Sequence, residues 1–331
     1  MMNSSKTEQE ALTHLELVLR QVRREAIGIN SYELVDPDQK DLPPFTAGAH
    51  IDVHIAPGVI RQYSLCNDPS ERHRYVIAVL RDESGRGGSR RMHDDLRVPD
   101  KLKVSIPRNN FPLSEQARKT LLIAGGIGIT PLKSMIHALE AQEKNYELHY
   151  CSKSPEYAAF QRELELAAKT GNIHCHFDGG NPQNGLDIAA LLREAQTETH
   201  VYYCGPGGFM EACKQASTHW PAGTIHCEHF KAPAKPIPIY TEHAAGEYTV
   251  ELAKSGQRVT VSRDQNLAEV LQQAGAALET SCQAGLCGTC KCRYLSGEVD
   301  HQDFILDDDE RRDFLTPCVS HGNGGTLVLD V

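Results

Sequence analysis

The sequence has little positive charge for its length. Its 331 residues include 34 lysines and arginines against 44 aspartates and glutamates, which gives a formal net charge of −10. A nucleic-acid-binding surface needs clustered basic residues to meet the phosphates. The charge balance therefore argues against a nucleic-acid partner.

Long hydrophobic runs are also missing. The longest nearly uncharged run, residues 120–132, is rich in glycine and shorter than the roughly 20 apolar residues that span a bilayer. We therefore expect no membrane partner. Residues 1–10 are polar and lack the apolar core of a secretion signal, so we expect no signal peptide.

The composition is that of a globular protein, with 40% apolar and 24% charged residues and 11 cysteines. The length is sufficient for two or three domains, and no internal repeat is visible. Because disulfides form in oxidising compartments, we interpret the cysteines as reduced and predict a cytoplasmic location. Seven are scattered along the chain: Cys66, Cys151, Cys175, Cys204, Cys213, Cys227 and Cys292.

The remaining four cysteines are regularly spaced. Cys282, Cys287 and Cys290 follow the pattern C-x4-C-x2-C, and Cys318 lies further along the chain. This spacing is typical of a plant-type [2Fe–2S] site, in which four thiolates hold two irons. The sequence therefore predicts an electron-carrying iron–sulfur centre near its C-terminus.

Other uses of these cysteines fit less well. A structural zinc site usually has two close Cys or His pairs, and only Cys287 and Cys290 form such a pair. Gly285 and Gly288 allow the sharp turns by which backbone N–H groups reach cluster sulfurs. Cys292 could compete as a ligand, but the spacing favours Cys290, so we expect the Cys292 side chain to point elsewhere.

Residues 11–112 alternate apolar and polar side chains, with frequent proline and glycine breaks. This alternation indicates short antiparallel strands, and many of them at this spacing favour a small β-barrel. The predicted strands cover residues 15–19, 50–55, 61–65, 74–80 and 101–106.

Two motifs in this region suit a phosphorylated aromatic cofactor. Residues 61–64 read R-Q-Y-S, in which the arginine can bind a phosphate and the tyrosine can stack on an aromatic ring. Residues 85–89 read G-R-G-G-S and precede a predicted helix at residues 90–96, so their N–H groups can bind a phosphate. An exposed strand and a flexible surface turn remain the alternatives for each motif taken alone.

Residues 113–230 alternate strands and helices, which predicts a parallel, doubly wound sheet. The predicted strands are residues 120–124, 146–151, 172–177, 200–204 and 224–227. The predicted helices are residues 132–141, 156–168 and 188–195, with one more after residue 210.

Glycine-rich turns follow the first and fourth of these strands, where such sheets bind ligands. The first turn reads G-x-G-x-x-P instead of the G-x-G-x-x-G dinucleotide fingerprint. Gly126 and Gly128 would still let a pyrophosphate approach the helix end, and Pro131 suits its first turn. Lys153 stands where a ribose-binding acid is usual, so binding of a phosphorylated ribose remains an alternative.

The C-terminal third begins with a proline-rich linker at residues 231–245. Residues 246–331 predict a small α+β domain, with a hairpin at residues 247–252 and 258–261 and an amphipathic helix at residues 266–274. The acidic run at residues 307–310 predicts a helix start, and a docking patch for a basic partner is its alternative.

These three parts, in this order, resemble the phthalate dioxygenase reductase family, which includes the reductase components of vanillate demethylase and similar Rieske oxygenases. The resemblance extends from about residue 12 to residue 331. It implies a multidomain chain. The implied domains are an FMN-binding antiparallel β-barrel of the ferredoxin-reductase type at residues 11–112, an NAD(H)-binding α/β domain at 113–230, a linker at 231–245 and a plant-type ferredoxin domain of β-grasp fold at 246–331.

The resemblance also implies roles for particular residues. Thr130 would lie near the flavin, Cys204 near the hydride path, and Phe230 would pack beside the flavin; these are the implied catalytic positions. The implied cofactor-binding residues are Arg61, Gln62, Tyr63, Ser64, Ala78, Val79, Gly87, Gly88, Ser89, Gly125, Gly126, Gly128, Thr130, Pro131, Cys204, Gly205 and Pro206. The implied cluster ligands are Cys282, Cys287, Cys290 and Cys318.

The function implied by this resemblance is electron transfer. NADH would give a hydride to FMN, and single electrons would pass through the [2Fe–2S] cluster to a Rieske-type oxygenase, either an aromatic ring-hydroxylating dioxygenase or an O-demethylase. Two alternatives stay open. One is a redox sensor or electron-storage protein without an oxygenase partner, and the other is a reductase that prefers NADPH.

Overall fold

The computed structural model describes residues 14–232 and 246–331, and the chain divides into two compact units after Phe230. Residues 1–13 and, apart from residues 231 and 232, the predicted linker lie outside the described residues.

The first unit begins with a six-stranded antiparallel sheet in the order β4-β3-β6-β1-β2-β5. A bridge between Leu65 and Ile77 joins the end of β4 to β5, so the two sheet edges meet and the sheet closes as a barrel. The strands are β1 (His14–Ala26), β2 (Ile29–Val35), β3 (His50–Ala56), β4 (Val59–Ser64), β5 (Tyr75–Leu80) and β6 (Lys101–Ser105). The predicted antiparallel architecture is confirmed, although no strand was predicted at the position of β2.

Alternation explains how these strands form a core. Ile51 and Val53 on β3 and Leu102 and Val104 on β6 are buried in one cluster, because every second side chain of a strand faces the same side. A short helix, α1 (Gly88–Asp94), follows β5. Its Met92 side chain closes this core.

The second half of the first unit is a five-stranded parallel sheet in the order β11-β10-β7-β8-β9. The strands are β7 (Lys119–Gly125), β8 (Asn145–Ser152), β9 (Asn172–Phe177), β10 (Thr199–Cys204) and β11 (Ile225–Glu228). The helices are α2 (Ile129–Ala141), α3 (Gln161–Ala167), α4 (Ile188–Leu191) and α5 (Gly207–Ala216).

Helices cover both faces of this sheet. Leu132 of α2 packs in a cluster with Leu122 of β7, whereas Met210 of α5 packs with Leu121 of the same strand. The chain order reverses between β7 and β10, so the predicted doubly wound sheet is confirmed. Such sheets bind ligands at the switch point, just beyond the strand ends.

Two predicted helices in this half were too long. The prediction for residues 156–168 is wrong for its first part, which is a 3-10 turn at Pro155–Tyr157. Phe160 interrupts the segment with a left-handed φ of 62° and is buried in the core, so its packing outweighs helical continuity. The helix predicted at residues 188–195 is the single turn α4.

The barrel and the parallel sheet share one hydrophobic core. Ala26, Ile29 and Ala78 of the barrel strands lie in the same buried cluster as Ala124 and Ile129 of the sheet half. The two halves of the first unit are therefore held together by apolar packing, which fixes their facing edges.

The second unit is a mixed sheet in the order β13-β12-β18-β14-β16, with β12 and β18 parallel. One helix, α6 (Leu267–Gln273), buries Leu267 and Leu271 against it. The strands are β12 (Glu247–Leu252), β13 (Gln257–Ser262), β14 (Cys292–Ser296), β15 (Val299–Asp300), β16 (Phe314–Leu315), β17 (His321–Gly322) and β18 (Thr326–Leu329), of which β15 and β17 form a separate pair. The predicted α+β fold is confirmed.

The acidic run at residues 307–310 does not start an α-helix. It leads into one 3-10 turn at Glu310–Arg312, because the Asp307 carboxylate accepts the N–H groups of Asp309 and Glu310 at 3.0 and 2.8 Å and closes a local turn. Lys291 also pairs with Glu310, and Arg312 with Asp309.

Within residues 14–232 and 246–331, no helix has the length and apolar character needed to cross a membrane.

Candidate functional site

The two glycine-rich turns of the first unit pack against each other at the switch point of the sheet. A Cβ atom on Gly128 would clash with the carbonyl oxygen of Cys204 and lie 2.8 Å from the nitrogen of Gly205. A Cβ atom on Gly125 would lie 2.9 Å from Cδ of Pro206. Both positions therefore require glycine, and five predicted cofactor-binding residues are brought together.

The start of α2 is ordered by its own side chains. Thr130 is only 2% exposed, and its hydroxyl donates to the carbonyl of Ile127 at 3.0 Å. Pro131 is buried beside it. Gly126 has a φ of +53° and open space where a side chain would be. The structure thus gives Thr130 a part in holding the turn, and its placement near a flavin stays a prediction.

A polar contact joins the barrel to the strand ends of the sheet. The Ser64 hydroxyl, at the end of β4, donates to the Glu228 carboxylate at the end of β11 over 3.2 Å. Burial raises the pKa of Glu228 to about 7, against the lowering effect of the Ser64 hydrogen bond. Burial, followed by the nearby Glu228 charge, also raises the pKa of the Cys204 thiol. Cys204 is therefore a neutral thiol at neutral pH and not a nucleophile.

No sequence pattern predicted a role for Glu228. Its only signal was its position, as a carboxylate at the end of the last parallel strand. The side chain that pairs with it, Ser64, lies 164 residues away in sequence, and no local pattern links the two.

The predicted phosphate-binding residues of the barrel also converge. The Arg61 side chain lies against Gly88, where a Cβ atom would be 2.9 Å from Cγ and Nε of Arg61. Gly87 has a φ of +85° and directly precedes α1. Burial, and then the nearby charge of Arg86, lower the pKa of Arg61. Two guanidinium groups beside a glycine turn fit the donor set that a phosphate needs.

Other predicted flavin residues have structural partners. Gln62 donates to Asp52 at 2.6 Å, and Arg108 pairs with the other carboxylate oxygen at 2.7 Å. Burial would raise the pKa of Asp52, but Arg108 outweighs it and holds the pKa below its usual value. Tyr63 packs against the barrel core, where burial raises the pKa of its phenol.

Strand β5 carries the predicted residues Ala78 and Val79. Both side chains are buried, Val79 in the barrel core and Ala78 in the core shared with the parallel sheet. The carbonyl of Val79 lies 2.9 Å from Nε2 of His93. The Ser89 hydroxyl accepts the N–H of Asp82 at 3.1 Å, which fastens the glycine turn to the end of β5. Their contacts with a cofactor stay predictions.

Two further predicted residues follow strand ends of the parallel sheet, Phe230 after β11 and Lys153 after β8. Phe230 is 39% exposed, so its ring face is accessible for stacking. The Lys153 ammonium lies 5.3 Å from the ring centroid of Tyr157, a cation–π arrangement that holds it beside the end of β8.

The cysteine loop of the second unit gathers four thiols. The Cys287 side chain interacts with that of Cys282, and the Cys318 side chain interacts with those of Cys282 and Cys290. All four cysteines are buried. Four converging sulfur donors are the ligand set of a plant-type [2Fe–2S] cluster, so the residues present fit that group.

The backbone of the loop also suits a thiolate-bound cluster. The N–H groups of Ala284 and Leu286 both donate to Sγ of Cys282 at 3.4 Å. Gly285 has a φ of +70°, and a Cβ atom there would lie 2.8 Å from the Val319 side chain. Donors aimed at sulfur stabilise negative charge on it, and glycine is needed to bring the backbone so close.

Cys292 lies outside this thiol group. It begins β14 and packs in the main core of the second unit with Leu327 and Leu329, whereas Cys290 and Cys318 share a separate small cluster with Ala268. The prediction that its side chain points elsewhere agrees with this packing.

The chain matches two family models and several whole proteins. Residues 122–215 match the oxidoreductase NAD-binding domain, and residues 250–321 match the 2Fe-2S iron-sulfur cluster binding domain. The chain is 51% identical to the tert-butanol monooxygenase / tert-amyl alcohol desaturase reductase subunit of Aquincola tertiaricarbonis, with 100% of both chains covered. It is 42% identical to the vanillate O-demethylase oxidoreductase of Pseudomonas sp. (strain HR199 / DSM 7063), covering 96% of this chain and 100% of the relative.

A solved structure extends this similarity to the whole fold. Phthalate dioxygenase reductase, described as a modular structure for electron transfer from pyridine nucleotides to [2Fe–2S], is 40% identical. The superposition has a TM-score of 0.71 and covers 98% of this chain and 99% of the other.

Substituting Gly128 tests the contact between the two turns. Gly128→Ala should separate the turns and lower the rate of oxidation of bound NADH by about 100-fold, because displacements of about 1 Å have effects of that size. Gly208→Ala is the control, since its Cβ atom would meet no protein atom within 4 Å. Equal NADH oxidation rates in the two variants would contradict the packing argument.

The assignment of thiols predicts opposite outcomes for neighbouring cysteines. Cys290→Ser should abolish the visible absorption and the electron paramagnetic resonance signal of a reduced [2Fe–2S] centre. Cys292→Ala should retain both, because its side chain lies in the core. Loss of the cluster in Cys292→Ala, with Cys290→Ser unaffected, would reverse the assignment.

The raised pKa of Glu228 predicts a pH-dependent stability. The folded chain binds a proton on this carboxyl more tightly than the unfolded chain, so its contribution to stability is complete at low pH and is lost as pH rises through about 7. Glu228→Gln has no carboxyl group to titrate, so it should not lose this stability as the pH rises. The melting temperature of the variant minus that of the wild type should therefore be higher at pH 8 than at pH 5. The exposed Glu211→Gln serves as control, and parallel melting curves for Glu228→Gln and wild type would refute the burial effect.

Proposed function

The chain belongs to the phthalate dioxygenase reductase family, and from this membership we propose that it is the reductase component of a Rieske-type oxygenase system. The proposed partner is an aromatic ring-hydroxylating dioxygenase or an O-demethylase. Electrons would pass from NADH through FMN and the [2Fe–2S] cluster to that oxygenase. The enzyme itself is an NADH-dependent iron–sulfur oxidoreductase.

The observation that carries this proposal is the gathering of four thiols in a chain that also contains an NAD-binding sheet. A flavin reductase without a cluster domain would pass single electrons from its flavin or through a separate carrier protein. This chain contains its own one-electron exit, with Cys282, Cys287, Cys290 and Cys318 as the proposed ligands.

The barrel supplies the proposed FMN site. Arg61 and the turn at Gly87 and Gly88 would hold the phosphate, because cationic groups and backbone N–H donors meet there. Tyr63 and Ser64 would line the ring and the ribityl chain. When bound, FMN supplies two-electron acceptance from a nicotinamide and one-electron release.

The switch point supplies the proposed nicotinamide site. Gly126 leaves room for a pyrophosphate at the start of α2. Hydride transfer needs no protein acid or base, so the residues here act by positioning and by excluding water. The buried, neutral Cys204 offers an apolar wall, and the Ser64–Glu228 hydrogen bond fixes the barrel edge against the strand ends. The exposed Phe230 ring would cover the flavin face.

The choice of nucleotide is part of the proposal. NADH is favoured because the resemblance covers the whole nucleotide half, but Lys153 stands beside the second strand end, where it could meet a ribose phosphate. The ratio of kcat/KM for NADH and NADPH decides the point. Replacing Lys153 with alanine should leave this ratio unchanged if the ammonium is engaged only with Tyr157.

A second candidate differs only in the oxygenase served. The relative that is 51% identical along its whole length is named for a tert-butanol monooxygenase, so a tertiary alcohol is an alternative to an aromatic final substrate. A redox sensor is less well supported, because a sensor would not need the two glycine-rich turns of the proposed nicotinamide site.

We also propose a cytoplasmic location, since the eleven cysteines, all within described residues, form no disulfide.

The proposal is tested by turnover with one-electron acceptors and with a purified Rieske oxygenase. Wild type should oxidise NADH steadily while reducing cytochrome c. Cys287→Ser should still bleach its flavin with NADH but lose cytochrome c reduction at least tenfold, because the cluster is the exit. Cys227→Ser, a substitution of an exposed cysteine, is the control. Full cytochrome c reduction by Cys287→Ser, or no NADH oxidation by wild type, would disprove the proposed route.

A further inference from the structure

A group of histidines and one glutamate lies on the nucleotide-binding sheet, apart from the residues discussed above. Glu147 and His149 stand on β8, and His174 stands on β9 directly beside His149 in the strand register. These side chains project from the same face, because paired positions on neighbouring strands face the same way. The group therefore joins the sheet interior to its edge strand.

The three side chains converge on one point. Glu147 Oε1 lies 3.1 Å from Nε2 of His149 and 3.5 Å from Nε2 of His174. The three ligand atoms all lie within 4.8 Å of one another. Ligand atoms around a tetrahedral zinc ion are about 3.4 Å apart, given metal–ligand distances near 2.1 Å. Two of the three separations already match that geometry.

A fourth residue supports the ligand arrangement. Nδ1 of His149 lies 3.0 Å from Nε2 of His176, the next position of β9 on the same face as His174. A metal-bound histidine almost always donates its second ring N–H to a neighbouring acceptor. His176 provides that acceptor, and its ring also stacks on that of His149 with centroids 5.2 Å apart.

The orientation of the carboxylate and the access from solvent both suit an ion. Lys119 contacts Oε2 at 2.9 Å, which leaves Oε1 directed at the histidines. The His149 side chain is only 10% exposed, whereas that of His174 is 48% exposed. An ion can thus enter from solvent on the His174 side.

We propose that Glu147, His149 and His174 bind one divalent transition-metal ion of the Zn²⁺ class, with His176 orienting His149 and water in the fourth position. Two imidazoles and one carboxylate are a common zinc ligand set, and imidazole ligands exclude Mg²⁺ and Ca²⁺ as the preferred ions. The ion would tie the edge strand β9 to β8 and so stabilise the nucleotide-binding sheet.

The test uses the full chain with its flavin and cluster in place and Zn²⁺ as the probe. After incubation with excess Zn²⁺ and dialysis, wild type should retain one zinc per chain and show a higher melting temperature than without zinc. His174→Ala should lose both effects while keeping NADH oxidation with ferricyanide, which shows that it is folded. His176→Ala should weaken zinc binding by about 10- to 100-fold.

Two control variants separate this site from other zinc ligands. His219→Ala removes an exposed histidine elsewhere in the same half of the chain, and Cys227→Ser removes a thiol whose sulfur lies 3.8 Å from Nε2 of His229. Both should keep the zinc and its stabilising effect. The proposal is overturned if wild type retains no zinc, if His174→Ala retains as much as wild type, or if the zinc is lost with Cys227→Ser instead.

Discussion

The architecture of the first unit depends on one close backbone contact, between the turn after β7 and the turn after β10. Gly128 lies so near the Cys204 carbonyl and the Gly205 nitrogen that no side chain fits between them. This contact brings the ends of the two central strands together at the place where the sheet changes direction. The nucleotide turn and the buried Cys204 thiol take their positions from it.

The barrel contributes through a second constraint, which is packing. The shared core that includes Ala78 and Ala124 fixes the barrel against the sheet, and the Ser64–Glu228 hydrogen bond then joins their polar edges. A flavin bound to the barrel and a nicotinamide bound to the sheet would meet at this seam. Rigid positioning is what hydride transfer asks of a protein, and buried apolar packing supplies it.

The sequence predicted most of the fold because its signals are local. Alternating strands, strand–helix alternation and the cysteine spacing each depend on neighbouring residues. The failures arose where distant contacts decide the outcome. Phe160 breaks a predicted helix because its ring is buried in the core. Glu228 and the histidine group had no local signature, since their partners come from other strands. The sequence predicted a glycine-rich turn at Gly128 but did not indicate that this turn contacts Cys204.

The cysteine loop shows the same division between local and distant information. The spacing of its cysteines predicted four ligands. The core in which the Cys292 side chain packs instead depends on the pairing of β14 with β18, which is a contact between distant parts of the sequence. The second unit is therefore both a cluster site and a compact domain with its own hydrophobic core. That arrangement would allow one chain to combine hydride transfer with single-electron delivery, as the proposed route requires.

Anaerobic stopped-flow spectroscopy of the wild-type enzyme mixed with NADH reveals the order in which electrons reach the flavin and the cluster. Flavin absorption should bleach in the first phase and cluster absorption should fall in a later phase, and the later phase should disappear when the cluster ligands are replaced. Reduction of the cluster before the flavin, or in a flavin-free enzyme at an undiminished rate, would contradict this order.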